Sequence, residues 1–493
     1  MERKPKILFV ALTLPDIAPA NLLKYRPRRS FVLTLHKHSV IALVAWLREN
    51  GCDGRYFWCQ INDQNARERI EEVIRDYKPD ALGFSLVTEE LLLHYRLIEQ
   101  LKESFPDIPV IIGGPHAIGA YEHTVKTFPL IDFVCTGEGE ITLTEWLKML
   151  VEGKSRTEMR EIKGLAFRDE SGNIVITPHR PTMPDMNLLP DPAFDIIVDP
   201  NAEMRPNTAF PIMGSYGCRH FCTFCAADHG NYRFMKPERI VNQIENAVKN
   251  YGVKYFAIRD NFWPPTPEWC DEFCSLIEKR NLKITFHFET RAGTLNEAQY
   301  KRLKSVGGEA AAIGVESGDP GILKRVKKGI TPDMVRKTFD HMHKAGIFSV
   351  GFYMFGLPGE TRETIRTTEK YMRELNSVLI SLAVFRPLPG TEAFQLVKEE
   401  DRDWWMKGPY PSICEIPTEE LHKLREDVDI RYPVRWAYLW QHVFAGKLTP
   451  EFRLIAWKAF RVHLLKVMLG ISERYGITRS FISNMKKIIK TDR

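Results

Sequence analysis

An α/β chain is predicted, with a doubly wound sheet domain first, a partial parallel barrel of six strand–helix units second and a mostly helical segment last. Three observations predict it. Short apolar strands alternate with helix-like stretches over residues 1–151; the alternation resumes over 207–395, after a proline-rich connector at 152–206; and residues 396–493 are aromatic, basic and helical in pattern.

In the first domain Ile7–Leu12, Ala81–Ser85, Val110–Gly113 and Phe133–Thr136 read as strands, and 40–50, 66–77, 89–105 and 143–151 as helices. A parallel sheet wound this way binds ligands in the loops after its strand C-termini. Those loops are Ser85-Leu86-Val87-Thr88, Gly113-Gly114-Pro115-His116-Ala117 and Gly137-Glu138-Gly139-Glu140. The connector is marked by Pro178, Pro181, Pro184, Pro190, Pro192 and Pro200, and its first part, 164–176, reads as a hairpin around an Asn/Gly-containing turn. The six barrel strands are expected at 210–215, 255–260, 284–289, 311–316, 348–355 and 380–385. A closed eight-unit barrel would need more chain than this region offers.

With 493 residues and 44% hydrophobic composition, two or three domains can each bury a core. There is no apolar run of transmembrane length, and Met1–Lys6 leads into the first strand without a cleavable signal pattern, so the expected location is cytoplasmic, either free or peripheral to a membrane. Nine cysteines are too few for a disulfide scaffold. Charge is uneven: from Leu421 onward there are 15 Lys and Arg against 6 Asp and Glu, while the preceding residues are slightly acidic. That tail points to an anionic surface or partner, and no feature points to nucleic acid.

Cys218, Cys222 and Cys225 put three thiols within eight residues, directly after the first barrel strand and Gly217. Three thiolates ligate three irons of a [4Fe–4S] cubane and leave the fourth iron open for chemistry. The alternative is a structural zinc site, which takes four protein ligands; no fourth cysteine is near, although His220 or His229 could complete such a set.

This spacing resembles that of the radical SAM superfamily, and the likeness extends over about 210–392. It implies that the open iron is chelated by S-adenosylmethionine (SAM), which is reductively cleaved to a 5′-deoxyadenosyl radical, with Cys218, Cys222 and Cys225 as the catalytic metal ligands. By the same resemblance Phe224 lies near the adenine, and Glu316 and Ser317 of Gly314-Val315-Glu316-Ser317-Gly318 face the cofactor's ribose and methionine. Lys327-Lys328-Gly329, Gly356–Thr361 and Pro387-Leu388-Pro389-Gly390-Thr391 are further family landmarks. Asp260 carries over as a polar contact, whereas Arg259 stands where relatives have Asp. Arg291 closes the third strand and is expected to meet a carboxylate of cofactor or substrate, or else an ion pair inside the barrel.

The first domain resembles the cobalamin-binding domain of cobalamin-dependent radical SAM enzymes. Ser85, Thr88, Gly113, Gly114, Gly137 and Gly139 are then the cobalamin contacts, since bare backbone lets a bulky corrin lie against the strand ends. No Asp-x-His-x-x-Gly motif is present, and the stretch Tyr25–Ser30 followed by Leu35-His36-Lys37-His38-Ser39 is bulkier and more basic than in relatives. A metal role for His36 and His38 is weighed and not favoured. For His116, packing or a ligand hydrogen bond is favoured over axial ligation. Cys52, Cys59, Cys135, Cys270, Cys274 and Cys414 are read as structural.

Residues 431–440 and 451–469 mix Trp, Tyr and Phe with Arg and Lys, which suits either a helical cap closing the substrate cavity or peripheral contact with a membrane. The resemblance implies an electron donor such as flavodoxin or ferredoxin and a small-molecule or lipid-like substrate. Three activities are compatible with these features. The favoured one is cobalamin-dependent C-methylation of an unactivated carbon in a large apolar substrate. The others are a radical cyclase or other C–C bond-forming enzyme of lipid, hopanoid or tetrapyrrole type without methyl transfer, and a non-catalytic cobalamin or cluster sensor.

Overall fold

A computed structural model describes residues 3–13, 37–60, 65–197, 209–445, 448 and 450–474. The basic stretch at 25–30, Leu35, His36 and the end of the connector lie outside the described residues. By packing, the chain divides into two compact units. Among described residues the first takes 3–13, 37–253 and Pro387–Pro411, and the second takes Lys254–Arg386 and the residues from Ser412 onward.

The first unit is built on a seven-stranded sheet. Its elements are β1 (Lys6–Thr13), α1 (His38–Glu49), β2 (Asp53–Gln60), α2 (Ala66–Tyr77), β3 (Ala81–Ser85), α3 (Leu91–Ser104), β4 (Val110–Gly113), α4 (Pro115–Thr127), β5 (Phe133–Cys135), α5 (Gly139–Val151), β6 (Leu165–Arg168) and β7 (Ile174–Ile176). The order is β2-β1-β3-β4-β5-β6-β7. The first five strands are parallel, and β6 and β7 add antiparallel. The strand order therefore reverses at β1/β3, the kind of switch point where such sheets open a ligand crevice.

β1 is an interior strand, and Ile7–Leu12 is accordingly apolar on both faces and buried throughout. α2 buries Ile70, Ile74 and Tyr77, spaced four and three residues apart, and turns its charged face outward. The expected hairpin is β6–β7: the Asp169 carboxylate accepts from the backbone N–H groups of Ser171 and Asn173 at 3.0 and 2.9 Å. The first part of the connector thus belongs to the sheet. Two elements were not expected, the edge strand β2 and helix α4.

Further along this unit come β8 (Phe210–Ile212), β9 (Ser215–Tyr216), β10 (Arg233–Phe234) and α6 (Pro237–Tyr251). β9 and β10 pair antiparallel and bracket the cysteines.

The second unit holds β11 (Tyr255–Ile258), α7 (Pro267–Lys279), β12 (Thr285–Thr290), α8 (Glu297–Ser305), β13 (Gly308–Glu316), α9 (Pro320–Arg325), α10 (Pro332–Ala345), β14 (Phe348–Phe355), α11 (Arg362–Leu375) and β15 (Leu379–Val384). Five parallel strands run in the order β15-β14-β13-β12-β11. Each helix start is written in the sequence. Thr266, Asn296, Asp319, Thr331 and Thr361 cap the helices that follow, and proline stands next at 267, 320 and 332.

After these come α12 (Thr418–Arg431), α13 (Trp436–Leu439) and α14 (Pro450–Arg474), with a π-helical turn at Trp440–Phe444. α12 packs along β15. The Tyr432 and Tyr438 hydroxyls donate to the carbonyls of Ser377 and Val378, both at 2.9 Å, and Asn376 Nδ2 donates to Gln441 Oε1 at 2.7 Å. Residues 376–378 immediately precede β15, so 432–441 are anchored at the strand-start end of this unit. The strand ends that carry Glu316 and Gly356 are opposite.

Candidate functional site

The cysteine loop is a closed hairpin in the first unit. At its base Gly217 has φ +74°, and a Cβ there would stand 2.5 Å from the Asn231 carbonyl oxygen, so only glycine allows the two limbs to approach. Cys218 N–H donates to Asp228 O at 2.9 Å and Gly230 N–H to Cys218 O at 3.0 Å. Within the loop Cys225 N–H donates to Cys222 O at 3.1 Å and Ala227 N–H to Cys225 Sγ at 3.4 Å. Cys222 is buried, Cys218 and Cys225 are half-buried, and all three are free thiols. His229 spends Nε2 on the Cys225 carbonyl at 2.9 Å.

Among the described residues no three His, Cys, Asp or Glu side chains converge on one point as a single-ion site requires. Three thiols on one eight-residue loop suit a cubane, each thiolate going to its own iron.

Two sets of contacts tie this hairpin to the doubly wound sheet. On one side, the Glu138 carboxylate accepts from both terminal nitrogens of Arg233, which flanks the hairpin on β10, and from Met183 N–H at 2.9 Å. Next to it the Tyr216 hydroxyl donates to Glu140 at 3.3 Å. On the other side, Ala393 N–H, just past Pro387–Thr391, donates to Thr223 O at 2.8 Å. The same proline turn lies against α4 so closely that a Cβ on Gly119 would stand 2.3 Å from Pro389 O. The Gly-Glu-Gly-Glu loop is therefore a latch on the cysteine hairpin as well as a strand-end loop, a role the sequence alone did not reveal.

Burial, reinforced by the charge of Glu138, pushes the Glu140 carboxyl up to about 7, against 4.5 for an ordinary glutamate. Because the folded value is raised, folding favours the protonated form. The contribution to stability is full below about 4.5 and is lost as pH rises through about 7. Glu140→Gln, which keeps an acceptor for Tyr216, is expected to abolish that loss. Thermal unfolding at pH 5 and pH 8 should show the wild type losing on the order of 2–3 kcal/mol more than the variant.

At the strand ends of the sheet the expected cobalamin contacts separate. Gly137 faces open space, where an added Cβ would meet no atom within 4 Å, and a Cβ on Gly113 would meet only Cys135 Cβ at 3.8 Å. Gly114 and Gly139 have protein neighbours instead: a Cβ on Gly114 (φ +91°) would lie 2.8 Å from Leu86 N, and one on Gly139 would lie 3.1 Å from Leu43. The Thr88 hydroxyl is engaged with His116 Nδ1 at 3.1 Å, and His116 Nε2 with Thr124 at 3.2 Å. His116 sits edge-on to Trp405, so its role in the described structure is packing and hydrogen bonding. The Ser85 carbonyl and the Glu90 carboxylate accept from the Lys37 ammonium at 2.5 and 2.6 Å. Beside Lys37, His38 is buried with neither ring nitrogen partnered, and burial pushes it down to about 4, so the imidazole is neutral. An orphaned buried imidazole and the open space at Gly137 fit a polar-rimmed cofactor at this edge.

The remaining expected residues lie in the second unit, except Phe224, which is half-buried in the cysteine loop. Glu316 closes β13 with φ +66°, and Lys328 Nζ lies 2.6 Å from its carboxylate, both side chains buried. A Cβ on Gly314 would stand 2.6 Å from that carboxylate and 2.7 Å from the ammonium, which explains glycine two residues before the glutamate. Ser317 is fully buried and its hydroxyl meets Thr368 on α11 at 3.0 Å, so that side chain ties the strand end to the helix. Asp260 is buried just beyond β11, and Arg259 pairs with Glu289 at 2.9 Å. Arg291 follows β12. Its Nη2 is buried without a partner and would stand 3.1 Å from a Cβ on Gly329. A buried, unsatisfied guanidinium nitrogen calls for an anionic acceptor, which fits the carboxylate of SAM or of a substrate.

Sequence reasoning missed Lys328 as a site residue, though Lys327-Lys328-Gly329 was a visible landmark. It also missed Glu360, whose carboxylate accepts from Gly356 and Leu357 N–H at 2.5 and 3.2 Å and is pushed up to about 7 by burial.

Two family models match the chain: the radical SAM superfamily over residues 212–372 and the B12 binding domain over 28–147. An uncharacterized methyltransferase of Pyrococcus horikoshii is 26% identical, over 76% of this chain and 83% of that protein. The anaerobic magnesium-protoporphyrin IX monomethyl ester cyclase of Rubrivivax gelatinosus is 26% identical over 72% of this chain, which spans just under two thirds, 65%, of the cyclase. Among solved structures, the cobalamin-dependent SAM radical enzyme OxsB with aqua-cobalamin and SAM bound aligns with a TM-score of 0.69 at 17% identity, covering 99% of this chain and 76% of that one. The radical SAM methyltransferase TsrM from Kitasatospora setae aligns at 0.64 and 17%, covering 79% and 77%.

Proposed function

We propose, starting from the fact that the chain is a B12-binding-domain member of the radical SAM superfamily, that it methylates an unactivated carbon of a large apolar substrate. It is an enzyme of this class, and its cofactors are a [4Fe–4S] cluster, SAM and cobalamin. When bound, the cluster supplies the electron that cleaves SAM, and cobalamin supplies a methyl carrier.

The observation that carries the proposal is the latch. Glu138 and Glu140 lead out of the strand ends of the B12-binding domain and hold Arg233 and Tyr216 at the base of the cysteine hairpin. A loop fixed on both limbs keeps its three thiols at a constant relation to that sheet edge, as transfer between two cofactors demands. Cys218, Cys222 and Cys225 would hold the cluster. Arg291 would receive a carboxylate, Glu316 and Asp260 would accept from hydroxyl or ammonium groups of SAM, and Phe224 would lie against the adenine. Of the proposed cobalamin contacts Ser85, Thr88, Gly113, Gly114, Gly137 and Gly139, the open Gly113 and Gly137 leave room for the corrin, and His38 adds a polar group at the same edge. Reducing equivalents would come from a flavodoxin- or ferredoxin-like donor.

A second reading, radical cyclisation or C–C bond formation without methyl transfer, is favoured by the likeness to the magnesium-protoporphyrin cyclase. Coproducts separate the two. Methylation consumes a second SAM as methyl donor, so S-adenosylhomocysteine is expected alongside 5′-deoxyadenosine in about equal amounts. Reconstituted enzyme supplied with cobalamin, SAM, reductant and substrate-bearing cell extract is assayed for both by chromatography. Turnover-dependent 5′-deoxyadenosine without S-adenosylhomocysteine would establish the cyclase reading.

A further inference from the structure

Trp436, Trp440 and Phe444 recur every fourth residue along α13 and the π-helical turn that continues it, and they are 70%, 58% and 55% exposed. Four-residue spacing puts them on one face. The residues between them are the anchors already described: Tyr438 is buried on Val378, Gln441 is held by Asn376, and His442 Nε2 lies 2.6 Å from the Asn376 carbonyl oxygen. The aromatic face is thus held outward by a fixed backbone. α14 packs against the same turn and adds Leu454 and Trp457, 44% and 39% exposed. Soluble monomers seldom leave so many large apolar side chains together in water.

We propose that this face is a docking surface for an anionic lipid bilayer. Charge selects that occupant. From Trp436 to the last residue there are 11 Lys and Arg against 3 Asp and Glu, and Arg453, Lys458 and Arg461 lie on α14 beside Leu454 and Trp457. Tryptophan rings settle at headgroup depth, and nearby cations are drawn to anionic lipid. No described helix is long and apolar enough to cross a membrane, so the contact is interfacial. The face belongs to the strand-start end of the second unit, away from Glu316 and Arg291, and so anchors the enzyme without covering that site. Membrane docking through this face is compatible with methylation and with cyclisation alike.

The test is flotation of the reconstituted full chain with vesicles of phosphatidylcholine alone or mixed equally with phosphatidylglycerol. Binding is expected to the mixed vesicles, to weaken with salt, and to fall about tenfold or more in Trp436→Ala/Trp440→Ala/Phe444→Ala. That variant should keep its thermal midpoint and its SAM cleavage in solution. Nitroxide-lipid quenching of tryptophan fluorescence in the unsubstituted chain provides a measurement that needs no variant. Absence of flotation and quenching with anionic vesicles would overturn the proposal, as would equal binding by the triple variant. A concentration-dependent dimer that the variant abolishes, without vesicle binding, would assign the face to a second copy instead.

Discussion

Cys222→Ala is expected to abolish the [4Fe–4S] cluster and all reductive SAM cleavage while leaving the protein folded. The thiol is buried in the middle of the loop, between the half-buried Cys218 and Cys225. The hydrogen bonds that shape the loop are mainly backbone ones, from Cys218 to Asp228, Gly230 to Cys218 and Cys225 to Cys222. Alanine retains every one of those bonds. Iron content after anaerobic reconstitution should drop from about four per chain to a small residue, and 5′-deoxyadenosine should fall to background. Circular dichroism and thermal midpoint should stay close to wild type. Stoichiometric zinc in the unsubstituted protein, or undiminished 5′-deoxyadenosine from the variant, would overturn the assignment.

Much of this was legible because the signals are local. The cysteine spacing, the capped and proline-started helices of the second unit and the Asp169 turn all lie within a few residues of sequence. What escaped had other causes. β2 sits at the sheet edge, and Asp53-Gly54-Arg55 at its start dilutes the apolar pattern on which strand assignment rests. α4 begins at Pro115 inside a Gly-Gly-Pro-His-Ala run that reads as a loop, although proline at a first helical turn is itself a start signal. The latch was invisible because Glu138 and Arg233 are 95 residues apart, and no periodicity reports such a pair. The glycines show the limit of composition most directly. Gly113 and Gly137 leave open space while Gly114 and Gly139 admit a close-packed neighbour, a distinction that exists only in three dimensions.

The buried pair of Glu316 and Lys328 yields the other large expected effect, and it separates cofactor binding from folding. With side chains only 9% and 10% exposed and 2.6 Å between charges, neither group can lose its partner cheaply. Glu316→Gln leaves an ammonium facing a neutral amide, and Lys328→Met leaves a carboxylate facing a thioether. Each is expected to destabilise the fold by about 3–5 kcal/mol. The double variant removes both charges and should recover most of that loss, because an apolar side chain in place of a buried ion is often neutral. SAM affinity should follow another pattern. If the Glu316 carboxylate accepts from SAM, charge-assisted hydrogen bonds of about 1.5–3 kcal/mol are lost whenever it is removed, a weakening of about 10- to 100-fold. That weakening should persist in the double variant even as stability returns, with iron content unchanged throughout. Equilibrium denaturation of the four proteins, set beside SAM titration of each, decides the matter: affinity that recovers together with stability would make Glu316 a partner of Lys328 alone.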